Sequence, residues 1–371
     1  MATGDGDSSR VKRYHRTHRW LSVAGFVLDL AYLAALLLTG WSVGLRRFAE
    51  SETARPALAL LIYLSLFALI HEALDLPLGY LNGYWLEHRY ELSNLTPGGW
   101  AKDRLKGLAV GGTLGTLAFE FVYWTMRRWP GQWWIVSAAA FICFFLLLAQ
   151  LGPVVLLPIF FKFKPVEDPA LTERLMELSR RAGTRVGGVY EWKLSEKSKK
   201  ANAALTGLGN TRRIVISDTL LGNFSPPEVE AVLAHEFGHH VRRHILRGLA
   251  VEIATTIAGF YTVNVALRAW GPSLGFRGLA DFANLPLLIL VTGALSLVLL
   301  PLVNLHSRQM EREADAYALR SIASPETFIS SMEKLAAMNL SERRPAAWIE
   351  FLFHSHPSVE KRIAFARNWA R

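Results

Sequence analysis

Six stretches of this chain, at about 20–45, 57–83, 107–126, 133–160, 247–269 and 284–305, stay apolar long enough to cross a bilayer as helices. A helix satisfies its own backbone hydrogen bonds, as hydrocarbon requires, so the sequence predicts a multi-pass α-helical membrane body of about six spans. Composition agrees, with 51% of the 371 residues hydrophobic and 19% charged. The first stretch follows a basic start (Arg10, Lys12, Arg13, Arg16, Arg19), as a signal peptide does. Its apolar run is longer than a typical signal's and no small-residue cleavage site closes it, which predicts a retained span.

A net charge of +10 raises the question of nucleic acid. The Lys and Arg residues sit mainly between apolar stretches, however, and no aromatic residues interleave the basic run 193–200. Anionic lipid and the positive-inside rule account for the charge, and no nucleic-acid partner is expected. Placing the N-terminus in the cytoplasm leaves only Arg46, Arg47, Arg55, Arg127, Arg128, Arg268 and Arg277 outside, seven of 41 Lys and Arg. The polar stretches 161–246 and 306–371 then share the cytoplasmic side, because two spans separate them. The chain divides into a basic segment 1–19, a four-span membrane domain 20–160, and a unit 161–371 with the two further spans. Asp29, His71, Glu72, Asp75, Glu120, Gln150 and Glu252 fall in or near spans and are expected to face a wet interior.

The chemistry concentrates in the unit 161–371. Ser225 can cap a helix, Pro226 suits its first position, and Glu228 completes a capping box. That helix runs into His235-Glu236-Phe237-Gly238-His239. His235 and His239, four residues apart, share a face about 6 Å apart and can bind one Zn²⁺, with Glu236 beside it to deprotonate water. The alternative reading is a polar helix face with histidines near a membrane boundary. The one cysteine, Cys143, lies in an apolar run, so any metal must draw on His and carboxylate ligands. Glu311 is the candidate third ligand, and Asp315, on the same helix face, can orient a ligand histidine. Taken alone, the segment 307–315 also reads as an ordinary charged helix. Position favours the metal: His239 lies about 12 Å before the fifth span and Glu311 about 9 Å after the sixth, on the same side. His240 and His244 extend the histidine run and are expected to point away from the metal face.

At these residues the chain resembles the integral-membrane zinc metalloproteases that include the type I CAAX prenyl proteases. The likeness extends to Leu86-Glu87-His88-Arg89-Tyr90 with Leu92-Ser93-Asn94, to Trp100-Ala101-Lys102-Asp103, and to Pro158-Ile159-Phe160-Phe161-Lys162-Phe163-Lys164-Pro165. Asn202-Ala203-Ala204-Leu205-Thr206-Gly207, the run Arg213 to Leu221, and His356-Pro357 with Glu360 and Arg362 follow in the family's order. The resemblance implies a small α+β zincin-like unit on the helical membrane scaffold. It implies His235, His239 and Glu311 as ligands of one Zn²⁺ per chain, Glu236 as general base, and Asp315 behind a ligand histidine. It further implies Asn202 on an edge strand that pairs with substrate, His356 as stabiliser of the oxyanion, and Arg362 supporting it. The substrate would be a peptide or protein, lipidated or membrane-associated, cut at the cytoplasmic face of a bacterial inner membrane among its lipids. Heat-shock-type quality-control proteases share the zinc motifs, and a catalytically silent scaffold or transporter is a rival from another class. The loop around Glu87–Asn94 favours the prenyl-protease branch. The eukaryotic prenyl proteases are similar to a seven-span barrel, against six spans counted here.

Overall fold

A computed structural model describes residues 4–207 and 212–369, with side chains from Ser9 onward. The far ends of the segments 1–19 and 161–371 therefore lie outside the described residues. Six helices are long and apolar enough to cross a membrane: Ser9–Leu38, Pro56–Arg89, Pro97–Arg128, Trp133–Phe160, His244–Trp270 and Phe282–Ser321.

The first span belongs to α1 (Gly4–Leu38), which ends seven residues earlier than its apolar run suggested. Gly40 takes a left-handed φ of 75°, a conformation that suits glycine, and turns the chain into α2 (Trp41–Glu52). Ser42, Arg46 and Ala49 form the buried stripe of α2. Arg46 is ion-paired with the buried Asp281, and the Ser42 hydroxyl donates to the Ala283 carbonyl at 2.6 Å. The next span comprises α3 (Pro56–Tyr80) and α4 (Leu86–Arg89), joined by a π-helical turn at Leu81–Trp85. Then come α5 (Pro97–Arg128), capped by the Thr96 hydroxyl, and the pair α6 (Trp133–Leu151) and α7 (Leu157–Phe160).

At the end of the body that holds α2, Tyr63, Tyr123, Trp133, Phe282 and Leu285 pack into one buried cluster. Polar groups there are satisfied between helices: Tyr123 donates to Asn284 Oδ1 at 2.6 Å, and Trp133 Nε1 to Asn264 Oδ1 at 2.9 Å. Charged groups deeper in the spans also pair with one another. His71 Nε2 lies 2.8 Å from Asp29 Oδ1, and Arg104 bridges Glu72 and Asp75.

Beyond the membrane body, β1 (Phe163–Pro165), α8 (Pro169–Arg181), β2 (Val189–Trp192), β3 (Ala203–Thr206) and β4 (Arg213–Ser217) build a small α+β layer. The sheet order is β1-β2-β4-β3, with β2 and β4 parallel and β3 an antiparallel edge. Asp168 caps α8, and Leu171, Leu175 and Leu178 turn its apolar stripe inward. α9 (Asp218–Asn223) leads to α10 (Pro226–Val241), which carries the histidine motif. Leu233 and Phe237 of α10 pack with Ile214 and Ile216 of the sheet in a single core.

The spans α11 (His244–Trp270) and α12 (Leu285–Ser321) follow. The 37 residues of α12 extend about 55 Å, well beyond the ~30 Å of hydrocarbon, so its last turns stand clear of the bilayer. There α12 joins the same core through Ala318 and Leu319, with α13 (Pro325–Met338) and α15 (Val359–Trp369) closing around it and α14 (Ala347–Phe353) packed on α12.

The start of α10 is fixed as its capping sequence requires. The Ser225 backbone N–H and hydroxyl donate to Glu228 Oε2 at 2.8 and 2.9 Å. Ser330 and Lys334 of α13 reach the same carboxylate at 2.6 and 2.7 Å. Burial opposes the Glu228 charge, but these four donors outweigh it and hold the carboxyl down at about 2. A depressed carboxylate stabilises the fold above its unfolded pKa and loses that contribution as pH falls towards the folded one. Glu228→Gln should therefore lower stability by about 1–2 kcal/mol at pH 7. Melting temperatures of the two proteins should converge as pH falls below about 4.5.

Candidate metal centre

Two helices from different parts of the chain meet at the site, and their approach depends on a residue without a side chain. Gly238 of α10 faces Ala314 of α12 so closely that a Cβ there would sit 2.9 Å from Ala314 Cα and 3.0 Å from its carbonyl oxygen. With both positions buried, the side chains one turn away converge. His235 Nε2 and His239 Nε2 lie 3.1 Å apart, and each is 3.3 Å from an oxygen of Glu311. One donor atom from each of His235, His239 and Glu311 lies within 4.8 Å of the others.

The donors suit a metal. Glu311 Oε2 is buried with no described hydrogen bond, facing His235 Nε2 at 3.3 Å, an arrangement that costs free energy unless a cation occupies the space between them. Two imidazoles and one carboxylate form a set that Zn²⁺ takes in catalytic sites, leaving a fourth position for water.

Behind these residues, His235 Nδ1 is 2.8 Å from Asp315 Oδ1. Donation from Nδ1 to that carboxylate leaves Nε2, which faces Glu311 and His239, as the nitrogen that can bind a metal once its proton is lost. Arg362 of α15 clamps Asp315 with Nε at 2.9 Å and Nη2 at 2.6 Å. Sequence reasoning set Arg362 behind His356, whereas its guanidinium is hydrogen-bonded to Asp315 and lies beside His235. His356 enters from the loop after α14, with Nε2 3.3 Å from Glu311 Oε1 and its side chain 60% exposed. Glu236 sits half-buried one residue after His235, and burial is the main force raising its carboxyl above the usual range. Asn202 is exposed immediately before the edge strand β3, where its backbone exchanges hydrogen bonds with Ser217.

His244 departs from its expected placement. Arg243 adopts a left-handed φ of 56° between α10 and α11, so the helical repeat breaks after Val241. The chain turns back and brings His244 Nδ1 to 3.0 Å from His239 Nδ1. His244 Nε2 meets Glu313 at 3.1 Å, and Arg247 holds Glu313 at 2.8 Å. Each motif histidine thus has its own buried brace. Sequence reasoning also missed Arg308, which donates to the carbonyls of Glu350, Phe351 and His354 and so ties the His356 loop to α12. Its position three residues before Glu311 was the only available signal.

Residues 165–370 match peptidase family M48, and residues 5–162 match the CAAX prenyl protease N-terminal family, described as five membrane helices. The chain belongs to peptidase family M48. Among its relatives, the uncharacterized metalloprotease YhfN of Bacillus subtilis is 30% identical over 361 residues, spanning 96% of this chain and 84% of YhfN. CAAX prenyl protease 1 of Saccharomyces cerevisiae is 27% identical over 323 residues, 82% of this chain and 71% of the yeast protein. The crystal structure of S. mikatae Ste24p superimposes with a TM-score of 0.89 at 23% identity, covering 99% of this chain and 91% of that one, and shows the same fold. The M48 membership and the six apolar helices make this an integral-membrane zinc metalloendopeptidase of the CAAX prenyl protease type.

Gly238→Ala should force α10 and α12 apart at their backbone contact. Zinc content after dialysis and peptidase turnover should each fall about tenfold or more, because ligands displaced by tenths of an ångström no longer converge. A second expectation concerns protons. Burial and Arg362 pull His235 down, but the adjacent Asp315 and Glu311 carboxylates outweigh them and raise it to about 9 in chelator-stripped protein. Zinc must displace that proton. Its affinity, measured with metal buffers, should rise about tenfold per pH unit up to about pH 9.

Proposed function

We propose that the chain hydrolyses peptide bonds at the cytoplasmic surface of a bacterial inner membrane, using one Zn²⁺ held by His235, His239 and Glu311. The convergence of these three side chains around Glu311 Oε2, buried with no described hydrogen bond, carries the reading. In it, residues 161–371 supply the catalytic unit and the four-span segment 20–160 the membrane body. The cytoplasmic assignment rests on the Lys and Arg distribution between spans.

Zinc bound there supplies Lewis-acid polarisation and acidifies water. Glu236 accepts a proton from the attacking water and passes it to the departing amine nitrogen. Its raised pKa brings it nearer the range in which one group performs both transfers. His356 donates to the oxygen of the carbonyl under attack. The Ser355 hydroxyl, 2.8 Å from His356 Nδ1, can donate there and leave the ring proton on Nε2, the nitrogen nearest Glu311. Asp315, with Arg362 behind it, keeps the His235 ring in its tautomer. The edge strand β3, with Asn202 at its start, offers unpaired backbone groups to an extended substrate.

Likeness to the yeast CAAX prenyl protease 1 supports a substrate with a lipid near the scissile bond, docked from the membrane. Glu236→Gln is the direct test. The variant should keep one zinc per chain while cleavage of a membrane-anchored reporter peptide falls by at least a hundredfold. Full cleavage by a zinc-loaded Glu236→Gln protein would overturn the assignment.

A further inference from the structure

A cavity of about 450 Å³ lies where α10 turns into the span α11. Arg212 from just before β4, His240 from α10 and Arg243 from the turn line it, together with Ile245 and Leu246 from the first turn of α11. No Asp or Glu is among the described lining residues. None of the three basic side chains forms an ion pair or hydrogen bond with another described residue. Elsewhere in this unit, by contrast, Arg174 and Arg181 are paired with Glu230, and Arg247 with Glu313. Burial draws the Arg212 guanidinium below its usual range, and no described carboxylate offsets that cost.

The cavity sits near the membrane surface, since Arg243 lies one residue before the membrane-spanning helix α11, which starts at His244. Ile245 and Leu246, in the first turn of that helix, are 52% and 59% exposed. A ligand that satisfies this wall must be anionic at one end and apolar at the other. The volume is ample for a phosphate and a small polar headgroup. We propose that this cavity binds the phosphate of an anionic phospholipid, with Arg212, Arg243 and His240 around the headgroup and an acyl chain along Ile245 and Leu246. The phosphate oxyanion supplies the carboxylate-like partner that the three cations lack, and the acyl chain covers apolar surface that meets lipid already. His240 adjoins His239, so the bound lipid touches the helix that carries the motif histidines.

Native mass spectrometry of the full chain, released from detergent with phosphatidylglycerol or phosphatidylcholine present, tests the proposal. The protein should retain one phosphatidylglycerol and release phosphatidylcholine. Retention should weaken about thirtyfold in the double variant Arg212→Gln/Arg243→Gln and persist in Arg212→Lys/Arg243→Lys. Melting temperature and zinc content, unchanged in both variants, separate loss of the site from loss of the fold. Equal retention by the wild type and the folded Gln variant would overturn the site. Equal retention of the two lipids, or full displacement of phosphatidylglycerol by millimolar inorganic phosphate, would overturn the lipid as its occupant.

Discussion

The backbone contact between Gly238 and Ala314 is the constraint on which the rest depends. It joins a helix of the small α+β layer to the emergent end of a membrane span, at a separation that no side chain larger than hydrogen permits. His235 and His239 lie on one partner and Glu311 on the other. The metal centre therefore exists only while both helices hold their depth and rotation. The capped start of α10 fixes one partner. The other is fixed through the bilayer itself, because α12 is anchored by a long apolar run and by the Arg46–Asp281 pair near its beginning. Substrate chemistry at a membrane surface follows from that construction.

Much of this was legible in the sequence because it follows from periodicity. Six apolar runs gave six spans, since hydrocarbon leaves a crossing segment no alternative to a helix. The capping box and the four-residue spacing placed the motif histidines together, and parity of spans put Glu311 on their side. What escaped was set by single backbone angles. Gly40 ends α1 early and creates α2, and Arg243 breaks the helix so that His244 returns to His239. Helical projection fails at both points, since it assumes the repeat continues. Arg308 and Gly238 escaped for another reason: one acts on carbonyl groups and the other through absence of a side chain. Neither leaves a charge or hydropathy pattern.

The braces around the two histidines differ in a way that bears on function. His235 is backed by Asp315, itself gripped in two places by a mostly buried Arg362. His239 is backed by a second imidazole, His244, and only then by Glu313 and Arg247, both about one-third exposed. The first chain is rigid and dry, and the second reaches toward water at the membrane boundary. An imidazole can turn or change tautomer more readily than a bidentate carboxylate–guanidinium pair. The structure thus holds one motif histidine firmly and leaves the other more freedom.

Charge explains why so polar a cluster is tolerated between apolar helices. Glu236, Glu311 and Asp315 carry three negative charges, and Arg362 carries one positive charge. With the histidines neutral, the inner cluster has a formal charge of −2. Isolated in a poorly solvated cleft, that charge would favour protonation or separation of the helices. His235 pushed up to about 9 and Glu236 raised by burial are signs of that pressure. A divalent cation cancels it, removes the need for a proton on His235, and gives Glu311 Oε2 the bond it lacks. The same surplus that would destabilise the bare helix pair therefore selects a doubly charged metal, and the close approach at Gly238 makes binding and packing one event.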